Sequence, residues 1–269
     1  MITLASDFGS PYPAAMKGVL LERTDARLVD VAHDFPRQDV RAAAFWLRET
    51  LPYFPPATHL VVVDPGVGTD RDALVVRAGQ CTLVGPDNGV LRPVARELAG
   101  DGALEYFRID DDHDDLVPVR LGNATAAKST TFHGRDVFAP AAAIVHETDR
   151  ESLAARAVLS PTDDVVDLVL PEATVADDRA TGEVLVVDDF GNVVTNVPGT
   201  SLEGRDAVRA NDERVPVERT FAAVDPGERL ATVGSHGYVE LDVNRGRGEE
   251  AFGLEPGDVV VLELESESG

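Results

Sequence analysis

Short apolar runs alternate with longer amphipathic segments in the first part of the chain. The runs at 2–5, 28–32 and 59–63 predict strands, and the period of the apolar positions predicts helices over 14–23, 40–51 and 90–98. Two further runs, 74–77 and 82–84, flank a short Ala-Gly-Gln turn and predict a hairpin. Strands that alternate with helices are typical of an α/β domain whose mainly parallel sheet is covered on both faces.

The pattern changes toward the C-terminus. Residues 110–128 are acidic and irregular, which predicts an exposed excursion, and the next segment predicts a helix capped by Asp136 with Pro140 in its first turn. From 183 to 269, short β runs separated by glycine-containing turns predict a small all-β barrel or sandwich. We therefore expect an α/β domain over 1–165, a linker over 166–182 and a smaller β domain over 183–269.

The composition narrows the class of protein. Hydrophobic residues make up 43% of the 269 residues, enough to bury a core, and the single cysteine, Cys81, cannot form an internal disulfide. The sequence has no signal-peptide pattern, and no run reaches the roughly 18 apolar residues of a membrane span. We therefore expect a cytoplasmic protein that does not bind membranes, and a net charge of -24 also disfavours binding to nucleic acid.

The charged residues point to a habitat. The chain has 48 Asp and Glu against 24 Lys and Arg, and Lys17 and Lys128 are the only lysines. Such a composition resembles that of halophilic proteins, because high ionic strength screens the repulsion between like charges. We expect the melting temperature to rise between low and molar salt.

Three predicted strands end at an acid beside glycine: Asp7 in SDFG, Asp64 in VVVDPG and Asp87 in VGPDNG. Ligands of open α/β sheets bind at the carboxyl ends of the strands, so three acids on one sheet edge indicate a site, although each acid alone is also a common turn former. Two Asp-Phe-Gly strings lack the companion loops of a kinase, and the chain carries no complete dinucleotide fingerprint and no Walker A motif.

Six strings, in this order, carry a resemblance to a known family: DFG…MKGV, VVDPGVGTDR, VGPDNGVL, TFHGRDVFAPAAA, VDDFGNVVTNV and GSHGYVELDVNRG. Together they resemble the S-adenosyl-L-methionine (SAM) hydroxide adenosyltransferases, relatives of fluorinase and chlorinase. The resemblance implies a Rossmann-like N-terminal domain, a C-terminal β-barrel and a homotrimer that binds its ligand between domains of neighbouring subunits. The implied reaction is hydrolysis of SAM to adenosine and methionine, with SAM as the substrate and no further cofactor or metal.

The resemblance also implies a catalytic triad of Asp64, Arg71 and His133. The chemistry of these residues agrees with that role, because an Asp, an Arg and a His together can orient a water molecule for in-line attack on the ribose 5′ carbon. The sulfonium leaves as a neutral thioether and needs no general acid. His133 could instead serve as a structural histidine at the start of a helix, and Arg71 could pair with Asp70 or Asp72.

The substrate-binding residues implied by the resemblance lie in both domains. Asp7 matches the acid that accepts hydrogen bonds from both ribose hydroxyls, Asp188 matches the acid that holds the methionine ammonium, and Asn192 matches the residue at the adenine edge. The remaining residues of the set are Phe8, Phe190, Ser235, His236 and Arg245. Ser235 and His236 match positions that bind the methionine carboxylate, and Arg245 falls in a stretch that contacts adenine. The shorter loop at 10–15 departs from the family pattern, so its contacts cannot be carried over.

Other functions remain open from the sequence. Halide-dependent adenosyl transfer is possible on the same fold, although the presence of His133 and the lack of a long insertion favour water. A metal-dependent hydrolase would use Asp7, Asp64, Asp87, His133 and Asp136 as hard ligands, but their spacing matches no known metal signature. A non-catalytic protein that binds SAM or adenosine is the third alternative.

Overall fold

The computed structural model describes residues 1–117 and 129–264. The chain divides into two compact units, Met1–Val169 and Leu170–Gly269. The excursion predicted for 110–128 lies largely outside the described residues. Among the residues that are described, no helix is long and apolar enough to cross a membrane.

The first unit is built on a seven-stranded sheet with the order β2-β1-β3-β5-β4-β6-β7. Its strands are β1 Ile2–Ser6, β2 Leu28–Ala32, β3 Thr58–Val62, β4 Ala73–Ala78, β5 Cys81–Pro86, β6 Glu105–Ile109 and β7 Leu159–Pro161. β1 pairs in parallel with β2 and β3, and β3 pairs in parallel with β5. β4 is antiparallel to β5 and β6, and β6 is antiparallel to β7. The sheet is therefore mixed, and the predicted parallel arrangement holds only for the half that contains the acidic strand ends.

Helices cover both faces of this sheet. They are α1 Tyr12–Leu21, α2 Val40–Thr50, α3 Arg92–Ala99 and α4 Ala139–His146. α1 and α4 pack on the face that carries Leu4, Leu60 and Val62, whereas α2 and α3 pack on the opposite face, which carries Ala5 and Val61. Because side chains alternate along a strand, the nearly continuous apolar runs of β1 and β3 supply both cores at once.

The segment before α4 differs from the prediction. Asp136 does not cap a helix; it lies inside a single π-helical turn, Gly134–Phe138, which precedes α4. Its carboxylate accepts hydrogen bonds from the backbone N–H of Ser129 at 2.9 Å and from the Arg135 side chain at 2.6 Å and 2.8 Å. Pro140 does lie in the first turn of α4, as predicted. Burial raises the pKa of Asp136, but the hydrogen bonds from Arg135 and Ser129 outweigh it and hold the pKa below its ordinary value.

The second unit is a strongly curved sheet of short strands. They are β8 Thr174–Val175, β9 Arg179–Val187, β10 Val193–Pro198, β11 Ala207–Ala210, β12 Glu213–Pro216, β13 Arg229–Val233, β14 Tyr238–Val243 and β15 Val259–Glu263, with a short helix α5 at Gly248–Phe252. The order is β12-β11-β15-β9-β10-β14-β13, all paired antiparallel, with β8 beside β9. A bridge between Val217 and Ala231 brings the two ends together, so the sheet is nearly closed like a barrel. Part of the segment predicted as a linker, from residue 174 onward, belongs to β8 and β9.

Candidate active site

Three acids lie at one edge of the first unit's sheet. β1, β3 and β5 are parallel neighbours, and Asp7, Asp64 and Asp87 follow their carboxyl ends. Side chains at such an edge are surrounded by loops and helix starts rather than by sheet, which leaves room for a ligand. The strand pairing therefore confirms the predicted gathering of these acids on one edge.

The loop after β3 folds back so that Arg71 meets Asp64. Arg71 Nε donates to Asp64 Oδ1 at 2.8 Å, and Arg71 Nη2 donates to Asp64 Oδ2 at 2.5 Å. The side chains are nearly enclosed, with exposures of 10% for Arg71 and 3% for Asp64. This bidentate geometry holds a guanidinium and a carboxylate in one plane, so both groups are fixed before any ligand arrives.

Gly66 and Gly68 make this fold-back possible. The Arg71 side chain passes so close to Gly66 that a Cβ there would lie 3.2 Å from Arg71 Cγ. Gly68 has a φ of +79°, and a Cβ on it would lie 2.7 Å from the carbonyl oxygen of Thr130. Only glycine fits both the backbone conformation and the close approach, which brings the Thr130 segment against the Asp64 loop.

His133 completes the cluster from the segment that follows Thr130. It lies directly before the π-helical turn, and Arg71 Nη2 is 3.0 Å from His133 Nδ1. A guanidinium can only donate, so Nδ1 accepts and the neutral ring carries its proton on Nε2. The three residues predicted as the triad are therefore in contact in the order Asp64, Arg71, His133.

The ionisation of His133 follows from these neighbours. Burial and the positive charge of Arg71 lower the pKa of His133 below its ordinary 6.5, while Asp64, Asp111 and Asp136 oppose the shift without cancelling it. The imidazole is therefore neutral at pH 7. Its Nε2–H is a hydrogen-bond donor, held in orientation by Arg71.

Arg71 has no side-chain partner in Asp70 or Asp72. Besides Asp64 and His133, its guanidinium donates to the backbone oxygen of Asp72 at 3.2 Å, and it stacks over the Phe138 ring at 5.0 Å from the centroid. The stacking and the hydrogen bonds fix the guanidinium on several sides. The alternative pairing weighed from the sequence does not occur.

Asp7 and Phe8 lie on the loop after β1. Asp7 is buried, and its Oδ2 accepts a hydrogen bond from the backbone N–H of Gln38 at 2.7 Å. The Phe8 ring packs edge-to-face with Phe132 and Tyr12, at centroid distances of 5.9 Å and 6.2 Å. Phe132 directly precedes His133, so these aromatic contacts join the Asp7 loop to the His133 segment. The sequence had given Tyr12 no role, because its loop departs from the family pattern.

Asp87 belongs to a different set of contacts. Its Oδ1 accepts from the backbone N–H of Val166 at 2.9 Å, and burial raises its pKa despite this hydrogen bond. Asp136 is likewise engaged by Arg135. Among the described residues, no group of three or more His, Cys, Asp or Glu side chains is arranged to hold a metal ion.

In the second unit, Asp188 organises the turn between β9 and β10. Its Oδ1 accepts from the backbone N–H of Phe190 and of Asn192, both at 2.9 Å, and its Oδ2 accepts from Asn192 Nδ2 at 3.0 Å. Asp188 and Asn192, both predicted to bind substrate, are thus hydrogen-bonded to each other. Phe190 projects from the same turn with 80% of its surface exposed.

Ser235, His236 and Arg245 lie at two other turns of the second unit. Ser235 and His236 occupy the β13–β14 turn, in which Gly237 N–H bonds to Gly234 O at 3.0 Å. Arg245 follows β14, is exposed, and has a left-handed φ of 58°. Turns predicted from the glycine-containing strings are therefore present at the Asp188 turn of the previous paragraph, at Ser235 and His236, and at Arg245.

Two buried acids of β14 were missed by the sequence reasoning. Glu240 and Asp242 are 8% and 0% exposed, and both carboxylate oxygens of Asp242 lack a hydrogen-bond partner among the described residues. Burial raises the pKa of Asp242 to about 8, aided by Glu240 and Asp188, and burial together with Asp188 raises the pKa of Glu240 to about 7. The Glu240 side chain lies against Gly234, where any Cβ would collide with it. Because Glu240 and Asp242 are two residues apart on one strand, the sequence indicates that they share a face of the sheet, but not that this face is buried.

Comparison with protein families gives two matches on this chain. Residues 2–154 match the SAM hydroxide adenosyltransferase N-terminal domain, and residues 182–261 match the corresponding C-terminal domain. Three relatives are named (R)-S-adenosyl-L-methionine hydrolase. The Salinispora tropica protein is 43% identical over 96% of this chain and 95% of its own length, the Thermus thermophilus protein is 42% identical over 96% and 97%, and the Methanocaldococcus jannaschii protein is 33% identical over 73% and 66%.

Two solved structures are similar over nearly the whole chain. An uncharacterized conserved protein from Thermotoga maritima is 32% identical with a TM-score of 0.82, covering 97% of this chain and 99% of its own. A conserved hypothetical protein from Thermus thermophilus is 38% identical with a TM-score of 0.70, covering 98% and 99%. On these matches, the chain belongs to the SAM hydroxide adenosyltransferase family.

Proposed function

We propose that this protein hydrolyses (R)-S-adenosyl-L-methionine to adenosine and methionine by attack of water on the ribose 5′ carbon. The family membership and the names of the relatives support the substrate and the reaction. The observation that carries the proposal is the contact of Arg71 with both Asp64 and His133 at a sheet edge. The electrophilic carbon bears a positively charged sulfonium, so a neutral water is a sufficient nucleophile once it is aligned.

The hydrogen bonds of the triad support a role for each member. His133 Nδ1 accepts from Arg71 and keeps the guanidinium in place, and the Asp64 carboxylate accepts one of the water's protons through a lone pair that Arg71 leaves unused. A lone pair of the water is then free to point at the 5′ carbon. Arg71 fixes the other two residues, and its charge keeps His133 neutral.

The bond changes balance without a cofactor. As the bond between oxygen and carbon forms, the bond between carbon and sulfur breaks, and its electron pair returns to sulfur, which leaves as the neutral thioether of methionine. The water loses one proton toward Asp64 and from there to solvent. Since no charge develops on the leaving group, the chain has no need of a general acid beside it.

Substrate binding divides between the two units. Asp7, with one oxygen held by Gln38, accepts the ribose hydroxyls, and Phe8 lines the sugar. Asn192 and Arg245 bind the adenine and Phe190 packs on it, while Ser235 and His236 bind the methionine carboxylate. Asp188 binds the methionine ammonium together with Glu240. The Asp188 carboxylate already accepts three N–H groups and has little remaining capacity, whereas the Glu240 carboxylate accepts none from the described residues and can receive the ammonium.

We further propose a homotrimer in a cytoplasm of high salt, with a Rossmann-like first domain and a barrel as the second. Each site would combine the first domain of one subunit with the second domain of its neighbour. Each domain carries only part of the set: the triad and the ribose acid in one, the methionine and adenine groups in the other. Sedimentation analysis in molar salt tests the assembly, and a monomer with full activity would contradict it.

The direct test of function is to incubate the purified protein at high salt with (R)-SAM and to identify the products by chromatography. The proposal predicts equal amounts of adenosine and methionine. Formation of 5′-chloro-adenosine when chloride is present would instead support halide transfer. Activity that chelator abolishes would support the metal-dependent alternative, and tight binding with no product would support a sensor.

A further inference from the structure

A chain of hydrogen-bonded side chains crosses the sheet edge next to Asp7. Lys17 Nζ of α1 donates to Asp30 Oδ2 of β2 at 2.5 Å, and Asp30 Oδ1 lies 2.9 Å from His33 Nε2. His33 Nδ1 in turn lies 2.8 Å from the hydroxyl of Ser6, the last residue of β1. The proposed triad and the substrate contacts described above use none of these four residues.

The partners fix the ring orientation of His33. Burial raises the pKa of Asp30, but hydrogen bonds from Lys17 and His33 outweigh it and lower the pKa, so Asp30 is a carboxylate and can only accept. His33 therefore carries a proton on Nε2, and its Nδ1 is hydrogen-bonded to the Ser6 hydroxyl. The two contacts hold the imidazole in one ring orientation, as in other carboxylate–histidine pairs.

The arrangement resembles a nucleophilic serine, histidine and aspartate set, but burial argues against that use. Ser6 has 0% exposure, so no substrate carbonyl can reach its hydroxyl in this structure. The hydroxyl instead holds the end of β1 to His33. The function of the chain is therefore to be sought in what Ser6 and His33 position.

Ser6 and His33 hold both sides of the loop that bears Asp7. Ser6 directly precedes Asp7, and the backbone N–H of Gly9 donates to the backbone oxygen of His33 at 2.7 Å. The segment after His33 also reaches Asp7, because the backbone N–H of Gln38 donates to Asp7 Oδ2 at 2.7 Å. The orientation of the Asp7 carboxylate thus depends on where the His33 segment lies relative to β1.

We infer that His33 is a positioning residue for ribose recognition, which acts through Ser6 and Gly9 to aim the Asp7 carboxylate at the sugar hydroxyls. The inference rests on the role proposed for Asp7 in binding ribose. A carboxylate discriminates between a sugar with two hydroxyls and one with a single hydroxyl only if its oxygens are held in place. His33 supplies that restraint from the β2 side of the sheet edge, where Lys17 and Asp30 anchor it.

The test is binding of adenosine and of 2′-deoxyadenosine by calorimetry to the full-length protein and to variants. His33→Ala should weaken adenosine about tenfold and reduce the ratio between the two Kd values toward one, the loss expected for about one hydrogen bond. His33→Asn should stay near wild type, because its amide can take the place of Nδ1 opposite Ser6. His146→Ala is the matched control, since His146 Nδ1 also lies near a hydroxyl, that of Thr58, at 3.2 Å, but at the opposite end of the parallel strands.

The outcomes separate this inference from the proposed function. Unchanged discrimination in a folded His33→Ala variant, alongside lost discrimination in Asp7→Asn, would overturn the positioning role and leave the hydrolase assignment intact. Unchanged discrimination in Asp7→Asn would overturn both the ribose role of Asp7 and the inference. Equal weakening of both ligands in His33→Ala and His146→Ala would show a general structural effect and also overturn it. SAM hydrolysis, measured on the same preparations, tests the proposed function separately.

Discussion

The charged groups of the two units are arranged in opposite ways. In the first unit, Asp64, Arg71 and His133 satisfy one another, and the carboxylate has its counter-charge within the same loop. In the second unit, Glu240 and Asp242 lie buried near Asp188 with no cationic partner among the described residues, and their pKa values rise to about 7 and about 8. The paired set of Asp64, Arg71 and His133 is suited to align a small neutral nucleophile. The unpaired face of β14, formed by Glu240 and Asp242, is suited to receive a cation.

The largest expected effect is on the paired set. Asp64→Asn removes the proton acceptor and replaces half of the bidentate contact with Arg71, so kcat for SAM hydrolysis should fall by about a thousandfold. The Kd of adenosine should change by less than about threefold, because Asp64 acts on the water. Steady-state kinetics and calorimetry measure the two quantities. Asp70→Asn, an exposed acid of the same loop, is the control and should leave kcat unchanged.

On the unpaired face, Asp242→Asn should stabilise the protein at alkaline pH. An unfolded Asp ionises near 3.8, whereas folded Asp242 keeps its proton until about 8, so the wild type loses stability as pH rises between these values. Asparagine cannot ionise and escapes this loss. Denaturant unfolding at pH 8 should show a gain on the order of 5 kcal/mol that shrinks toward pH 4. An equal gain in the exposed control Asp178→Asn, or a gain independent of pH, would be inconsistent with burial of an uncompensated carboxyl.

Glu240→Gln tests whether the unpaired face receives the substrate's cationic end. The variant keeps the size of the side chain but cannot become a carboxylate, so KM for SAM should rise about tenfold while the Kd of adenosine, which has no ammonium, stays constant. Glu203→Gln, on the surface of the same unit, serves as the comparison. If adenosine weakened as much as SAM, Glu240 would have a structural role instead.

The smallest expected effect is the pH dependence of kcat, which follows the ionisation of His133 in the paired set. Burial and Arg71 lower the pKa of His133, so the neutral ring persists below pH 6.5 and kcat should stay level from pH 8 down to that value. At still lower pH, a proton on Nδ1 would face the Arg71 guanidinium, and kcat should fall by about tenfold per unit once the pKa is passed. A decline that begins above pH 7 would contradict the assignment.

Much of the fold could be predicted from the spacing of hydrophobic residues along the chain. The apolar runs located β1, β2 and β3 to within a residue or two, and the turn at Gly79 indicated the β4–β5 hairpin. The spacing of apolar residues does not specify the direction of pairing, so the antiparallel pairings of β6 with β4 and β7 were not predicted. The capping role given to Asp136 was wrong because its carboxylate binds Arg135 and the Ser129 backbone instead of a helix start.

The site could be predicted less completely than the fold. Motifs indicated Asp64, Arg71 and His133, but they did not indicate that Arg71 contacts both of the others. That contact, which also decides which nitrogen of His133 carries the proton, depends on the close approach of two distant segments at Gly68 and Thr130. Alternation along β14 places Glu240 and Asp242 on one face, yet a sequence cannot tell a covered face from a solvated one. The contact of Ser6 with His33 also joins positions whose proximity depends on the pairing of β1 with β2.

The central claim is that water attacks the 5′ carbon of SAM at the triad, and hydrolysis in ¹⁸O-labelled water tests it most directly. The account predicts one labelled oxygen in the adenosine, at its 5′ position, none in the methionine, and no labelled product from Asp64→Asn on the same timescale. Label recovered in the amino-acid product, or wild-type rates of labelled adenosine from Asp64→Asn, would contradict it.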